Sequence, residues 1–346
     1  MGELTLDPRG RAGLRTWYSA HSALRGWSRW IVGRALLGFS VVAAVSVIVF
    51  LCCQALPSDP ARVALGPQAT QADVETLRHQ FGLDRPIWTQ FATWLGDLLR
   101  GDLGTSINTG RPVSTLIGDR LINSAVLLLA AIVLAVLVSI TTGLLLARRA
   151  DSTTDHIAST LMIVALAVPD FALGALLIML LSTNVFAILP ATSALDPAQP
   201  LLGQANLVVL PALTLAIGVG AYLTRLVRSA AIEQLGSDHI AAARLRGIPE
   251  SRILFRHVLP NAVIPAIHGL ALTTGVLLGG TLAVETIFAY PGVGSELNTA
   301  VQQRDFPVIQ ALVVIIAAIV VIVTLLADLV SALLSPRVRT SMGGTP

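Results

Sequence analysis

Apolar residues gather into six long blocks, near 31–53, 121–147, 157–182, 206–226, 262–286 and 308–334, with polar residues crowding the intervals. About 20 apolar residues cross a hydrocarbon core of about 30 Å, because a helix rises about 1.5 Å per residue. Each block reaches that length, and each predicts one transmembrane helix. Gly or Pro interrupts several of them, at Pro169, Pro211, Gly275, Gly279 and Gly280, as in bundles whose helices pack closely and shift. The fold class is an all-α membrane protein with six transmembrane helices. Its plan is an N-terminal extension (1–30), a first span (31–53), a polar insertion (54–120), a core of five spans (121–335) and a tail (336–346).

The insertion is too long for a mere connector. Thr70-Gln-Ala-Asp73 has the spacing of a capping box and predicts a short helix running toward His79. Ile87, Phe91, Trp94, Leu95 and Leu98 recur at helical spacing, which gives an amphipathic helix with one aromatic face, ended by Gly101 and Gly104. Such a helix suits a membrane interface or the rim of a pore. In the extension, Trp17, Leu24, Trp27 and Trp30 alternate with arginines, a pattern for an interfacial helix on an anionic leaflet. No short apolar core with a small-residue cleavage site precedes the first span.

Orientation is read from the arginines. With both termini cytosolic, sixteen of the 23 basic residues fall inside, whereas 183–205 carries none and 287–307 only Arg304. Charged residues are 12% of the chain and hydrophobic ones 54%, so the spans leave no room for a separate enzyme domain in 346 residues. Every basic residue is Arg. A Walker A loop needs its Lys to reach the nucleotide phosphates, so this chain cannot carry one, and Lys Schiff-base chemistry is excluded too. No HExxH, GxSxG or CxxC motif is present, and adjacent Cys52 and Cys53 read as small apolar fillers. His268, in the fifth span, reads as a paired bundle histidine rather than a metal ligand.

The most informative stretch is the basic loop at 229–261, between spans four and five. Ser237 or Asp238 caps a short helix to about Arg246. Gly247 stops it where a left-handed residue is needed, and Pro249 opens a second helix from Glu250 to Leu259. Arg244, Arg246, Arg252 and Arg256 make this helix-turn-helix a docking element.

Ala241-Ala242-Ala243, Gly247 and then His257-Val258-Leu259-Pro260 resemble the "EAA" loop of binding-protein-dependent ABC importer permeases. Ala241 stands where that family often has Glu, and His257 where it has Ile. The resemblance extends along the chain to the branch that serves dipeptides, oligopeptides, glutathione and nickel. Ala55-LPSDP-Ala61, Phe81-GLDRPIWTQFATWLGDLLRGDLGT-Ser106, Val284-ETIFAYPGV-Gly294, Arg304-DFPVI-Gln310 and Asp328-LVSALLSP-Arg337 are each similar to one of its blocks.

The resemblance implies a type I ABC importer permease fold with an extracytosolic insertion after the first helix, in a bacterial inner membrane. It further implies a homologous second permease subunit, two cytosolic ATPases that carry ATP-Mg, and an extracytosolic substrate-binding protein. This chain itself would hold no cofactor and have no nucleic-acid partner. The coupling residues so implied are Asp238, Ala242, Ala243, Arg244, Arg246, Gly247, Arg252, Leu259 and Pro260. The expected solute is a di- or oligopeptide, with nickel or glutathione as the alternative; a secondary transporter or channel stays open from another class.

Three acids lie in or at the ends of spans. Asp170 falls near the middle of the third, where a charge costs at least about 2.5–3.5 kcal/mol. That makes it a candidate for the translocation path or a partner for backbone freed by Pro169. Glu285, at the end of the fifth span, is the second path candidate, though it and Asp328 also suit structural pairing.

Overall fold

The computed structural model describes residues 8–55, 59–66, 68–183, 186–196, 199 and 201–334, with first-helix side chains described at Ser28 and from Trp30 onward. Leu56, Pro57 and Ser58 of the first family block, Arg337, Arg339, the 336–346 tail and the side chains of Trp17, Leu24 and Trp27 lie outside the described residues. The chain is all-helical there, with helices α1 (Pro8–Ala55), α2 (Pro60–Leu65), α3 (Gln71–Gln80), α4 (Ile87–Leu99), α5 (Val113–Arg148), α6 (Thr153–Ala167) and α7 (Asp170–Ile178). They are followed by α8 (Ala205–Leu235), α9 (Asp238–Leu245), α10 (Glu250–Ile253), α11 (Leu259–Ile287), α12 (Val293–Gln303) and α13 (Phe306–Leu334).

Five stretches are long and apolar enough to cross a membrane: Trp30–Ala55, Val113–Arg148, Ala205–Leu235, Glu250–Ile287 and Phe306–Val330. The stretch expected to be the third span is two pieces, Thr153–Ala167 and Asp170–Thr183, bent by 108°, so the count is five, or six if this broken pair crosses as one. Pro169 explains the break. It has no N–H to give to the preceding turn, and its ring forces Val168 out of helical geometry, to ψ 125. Asp170 therefore sits in the first turn of α7, and not in mid-helix as the unbroken apolar run suggested. Pro211 and Pro265 lie inside α8 and α11, which continue through them. The extension also differs from its expected boundary, since α1 runs without interruption from Pro8 into the first span.

Helix α8 is central and packs against α5, α6, α7 and α11, while α1 lies along α13. Lipid is as apolar as a leucine side chain, so helices in a membrane associate through close packing at small residues. Gly143 shows this: a Cβ there would lie 2.8 Å from Val227 of α8. The main core joins Leu127, Ala131 and Ala135 of α5 with Leu215, Leu223 and Val227 of α8, and a second cluster joins α1, α5, α12 and α13.

The insertion is ordered by specific polar contacts. Thr70 caps α3 by accepting from Asp73 N–H at 3.3 Å, while the Asp73 carboxylate accepts from Thr70 N–H at 3.2 Å. On Phe50 of α1, Phe91 of α4 packs edge-on and Trp94 stacks. Asp305, between α12 and α13, accepts from Ser106 Oγ and from the N–H groups of Ile107 and Asn108. One buried carboxylate thus ties the loop ahead of α5 to the start of the last span.

Candidate functional site

Ser237 stands at the N-cap position of α9, but its hydroxyl donates back to the Gln234 carbonyl and caps nothing. The end of α9 follows the expected turn. Gly247 has φ +75, its N–H donates to Arg244 O at 2.9 Å, and Ile248 N–H donates to Ala243 O at 3.2 Å. Those two bonds form a Schellman motif, which uses up carbonyls that α9 leaves open. Arg244 then reaches across the turn, its Nε donating to Glu250 Oε1 at 2.7 Å. The pairing with Glu250 raises the Arg244 pKa above its ordinary value.

The second helix does not stop at Leu259. It widens into a π-helical turn over Leu254–Val258 and passes directly into α11, so Glu250–Ile287 is one rod. Pro260 explains the widening. Proline donates no backbone hydrogen bond, and the π turn absorbs the mismatch before Pro260 enters the first turn of α11. What looked like two short docking helices is one short helix and the tip of a membrane span.

Ile240, Ala243, Ile253, Leu254 and Val258 are buried and join the loop to the core cluster of α5 and α8. Asp238, Ala242, Arg244, Arg246, Arg252 and Pro260 are exposed, and Leu259 is half-buried. Leu245 and Phe255 also face outward, Leu245 at 90% exposure. Neither was read as a site residue, although two apolar side chains among surface arginines are the available signal. The result is a rigid projection with a basic and partly apolar outer surface.

A second contact escaped sequence reasoning altogether. Asp155, fully buried at the start of α6, accepts from both Nε and Nη2 of Arg228 on α8, in the two-pronged geometry that suits guanidinium and carboxylate. It fixes α6 beside the end of α8 from which the loop departs.

The two acids named for a translocation path are not brought together. Glu285 is fully buried and accepts from Ser124 Oγ, from Gly294 N–H at 2.7 Å and from Ser295 N–H at 3.1 Å, at the start of α12. Asp170 instead lines a cleft between α7, α8 and α11 that Glu285 does not reach. Asp328 pairs with Arg34 of α1 at 2.6 Å. His268 was expected to be paired, but its Nε2 has no hydrogen-bond partner among the described residues. Beyond the end of α11 and close to Glu285, Tyr290 is buried with its hydroxyl donating to Asn123 O at 2.8 Å, and burial pushes its pKa up.

Comparison with known proteins agrees with this architecture. Residues 139–340 match the binding-protein-dependent transport system inner membrane component, and residues 27–127 match the N-terminal part of such membrane components. The chain is 37% identical over 311 residues to the oligopeptide transport system permease protein AppB of Bacillus subtilis, covering 89% of this chain and 98% of that one. It is 38% identical over 321 residues to the probable D,D-dipeptide transport system permease protein DdpB of Escherichia coli, covering 86% and 94%. The glutathione transport system permease protein GsiC of Escherichia coli is 34% identical over 310 residues, covering 90% and 98%. A match this long, over an all-helical bundle of five or six membrane spans that carries the loop, shows that the chain belongs to the binding-protein-dependent inner-membrane permeases of ABC importers, as a multi-pass, non-catalytic membrane component.

Proposed function

We propose that this permease imports peptides, forming half of the translocation path with a homologous second permease. One of two cytosolic ATPases would dock on the 229–261 loop, the pair hydrolysing ATP-Mg, and an extracytosolic binding protein would deliver the solute to the face that carries the insertion. The observation that carries this reading is the continuous rod Glu250–Ile287, whose tip is the basic loop and whose shaft borders the Asp170 cleft. A push on Arg252 or Phe255 then reaches the cleft wall along one continuous helix, through the π turn at Leu254–Val258 and past Pro265. Peptide, rather than nickel, is favoured because the relatives named above are permeases for oligopeptide, D,D-dipeptide and glutathione.

The test is uptake by the complete complex in proteoliposomes, with trialanine, glutathione and nickel ion each offered alone. Trialanine should accumulate only with ATP and binding protein present; accumulation of nickel alone would overturn the assignment. The purified permease without its partners should hydrolyse no ATP above background, because a chain without Lys cannot build a P-loop. Hydrolysis that persists after every other subunit is removed would contradict the division of labour.

Topology has its own expected result. In a background freed of Cys52 and Cys53, single cysteines at exposed Gln199 and His239 should react with an impermeant thiol reagent from opposite sides, His239 from the cytosol. Labelling of both from one side would overturn the orientation drawn from the arginines.

A further inference from the structure

We propose that Asp170 is a cation subsite of the membrane cleft and takes the α-ammonium group of a peptide in transit, an assignment that rests on the peptide-importer reading. The break at Pro169 creates the site. Because α7 restarts there at 108° to α6, its first residue points its carboxylate between α8 and α11 instead of lying along a continuous helix. The cleft measures about 340 Å³ and is walled by Val168, Leu215, Tyr222, Thr273 and Leu277, among others. That volume lies within the range of small-ligand clefts. Among the described residues, Asp170 is the only charged side chain lining it.

Its oxygens are also free. No hydrogen bond or ion pair reaches the Asp170 carboxylate among the described residues. Three other acids in or near the spans are engaged, Asp155 by Arg228, Glu285 by Ser124, Gly294 and Ser295, and Asp328 by Arg34, while Asp119 and Glu233 are exposed near the ends of α5 and α8. Room for Asp170 comes from two glycines on the facing helices. A methyl at Gly280 would come 2.5 Å from Oδ2, and one at Gly218 would come 3.5 Å from Oδ1.

An unpaired carboxylate in an apolar wall is costly unless something arrives to pair with it. Every unmodified linear peptide brings one suitable group, a terminal ammonium with three donors, and that cation is hard to move through an apolar passage without a counter-charge. Asp170 supplies the counter-charge where α7, α8 and α11 meet. Movement of the Glu250–Ile287 rod shifts Thr273 and Leu277 relative to Asp170, so the subsite opens or closes with the loop.

The experiment uses the complete complex in proteoliposomes and two probes. Trialanine has the terminal ammonium as its only cation; N-acetyl-Ala-Lys-Ala has only a side-chain ammonium. Asp170→Asn keeps the shape and removes the charge. It should reduce trialanine uptake about tenfold, as expected for a lost charge-assisted bond, while binding-protein-stimulated ATP hydrolysis stays near wild type. Asp170→Glu should recover most of the uptake. Gly280→Ala, which presses a methyl on Oδ2 without altering charge, should also lower uptake and spare hydrolysis. Unchanged trialanine uptake in Asp170→Asn overturns the proposal, as does an equal loss of uptake and hydrolysis, which would mark a structural role. An effect confined to the acetylated lysine peptide overturns the terminal-amine assignment. A wild-type complex that hydrolyses ATP on docking but carries no peptide overturns the importer reading itself.

Discussion

Replacing Glu285 with Ala should destabilise the permease more than any other single change at the α12 end of the bundle. The carboxylate is fully out of solvent and receives the Ser124 hydroxyl together with the Gly294 and Ser295 N–H groups. Gly294 and Ser295 belong to the first turn of α12, whose N–H groups have no intrahelical acceptor. Glu285 therefore acts as a remote cap, supplied from the last turn of α11. Each donor left unsatisfied in a buried place costs about 1–3 kcal/mol, so loss of the acceptor for three donors should cost at least about 3 kcal/mol. Glu285→Gln should cost much less. Its amide oxygen still serves both N–H groups, and its NH₂ group donates to Ser124, whose Oγ already accepts from Val293 N–H at 2.8 Å. The measurement is the midpoint of thermal inactivation in detergent, with the yield of monodisperse protein. Equal midpoints for Glu285→Ala and the wild type would show that the cap carries no stability.

The same geometry explains a block that the sequence offered only as a resemblance. In Val284-ETIFAYPGV-Gly294 the glycines are required by Glu285: a Cβ on Gly292 would fall on its carboxyl group, and one on Gly294 would meet both Leu282 and the carboxylate. In Arg304-DFPVI-Gln310 the acid is the one that gathers Ser106, Ile107 and Asn108. Each block is one half of a contact whose other half lies elsewhere in the chain. The spans, the Thr70 cap, the aromatic face of α4 and the left-handed Gly247 were readable because each depends on residues within a few positions of one another. Asp155 and Arg228 are 73 residues apart, and no local period announces their pairing.

Proline is where local reading was ambiguous. Pro211 and Pro265 remain inside helices, whereas Pro169 ends one. Pro211 is buried among the helices of the core cluster, which can hold a helix together through the missing bond. Pro169 is exposed, with extended Val168 before it and Asp170 after it, an acid suited to the first turn of a new helix. The difference lies in tertiary surroundings, so the sequence placed Asp170 in the right span but not at a helix start.

Gly247→Val should abolish most transport while leaving the bundle intact. At φ +75 a side chain pays a left-handed penalty of about 1–2 kcal/mol, and β-branched Val is the least suited to it. No atom lies within 4 Å of a Cβ there, so the strain is conformational and is relieved by unwinding the Schellman turn rather than by disturbing the core. Relief moves Leu245 and Arg246 relative to the rod that begins at Glu250. Uptake should fall roughly tenfold or more, the scale of a lost coupling free energy, with insertion and thermal midpoint near wild type. Charge at the docking surface needs a different variant. Arg244 is committed to Glu250 within the loop, so Arg244→Glu sets two acids face to face and opens the turn, an effect close to that of Gly247→Val. Arg252, exposed and in no ion pair among the described residues, tests the outer surface alone. Arg252→Glu should weaken co-purification of the ATPases most at low salt, with the deficit relative to wild type shrinking as salt screens the reversed charge. Gly247→Val should retain the ATPases but lose stimulation of hydrolysis by the binding protein. Full uptake and normal stimulation in both variants would mean that force enters the membrane by another route, and the rod from Glu250 to Ile287 would then be a structural continuity without a mechanical role.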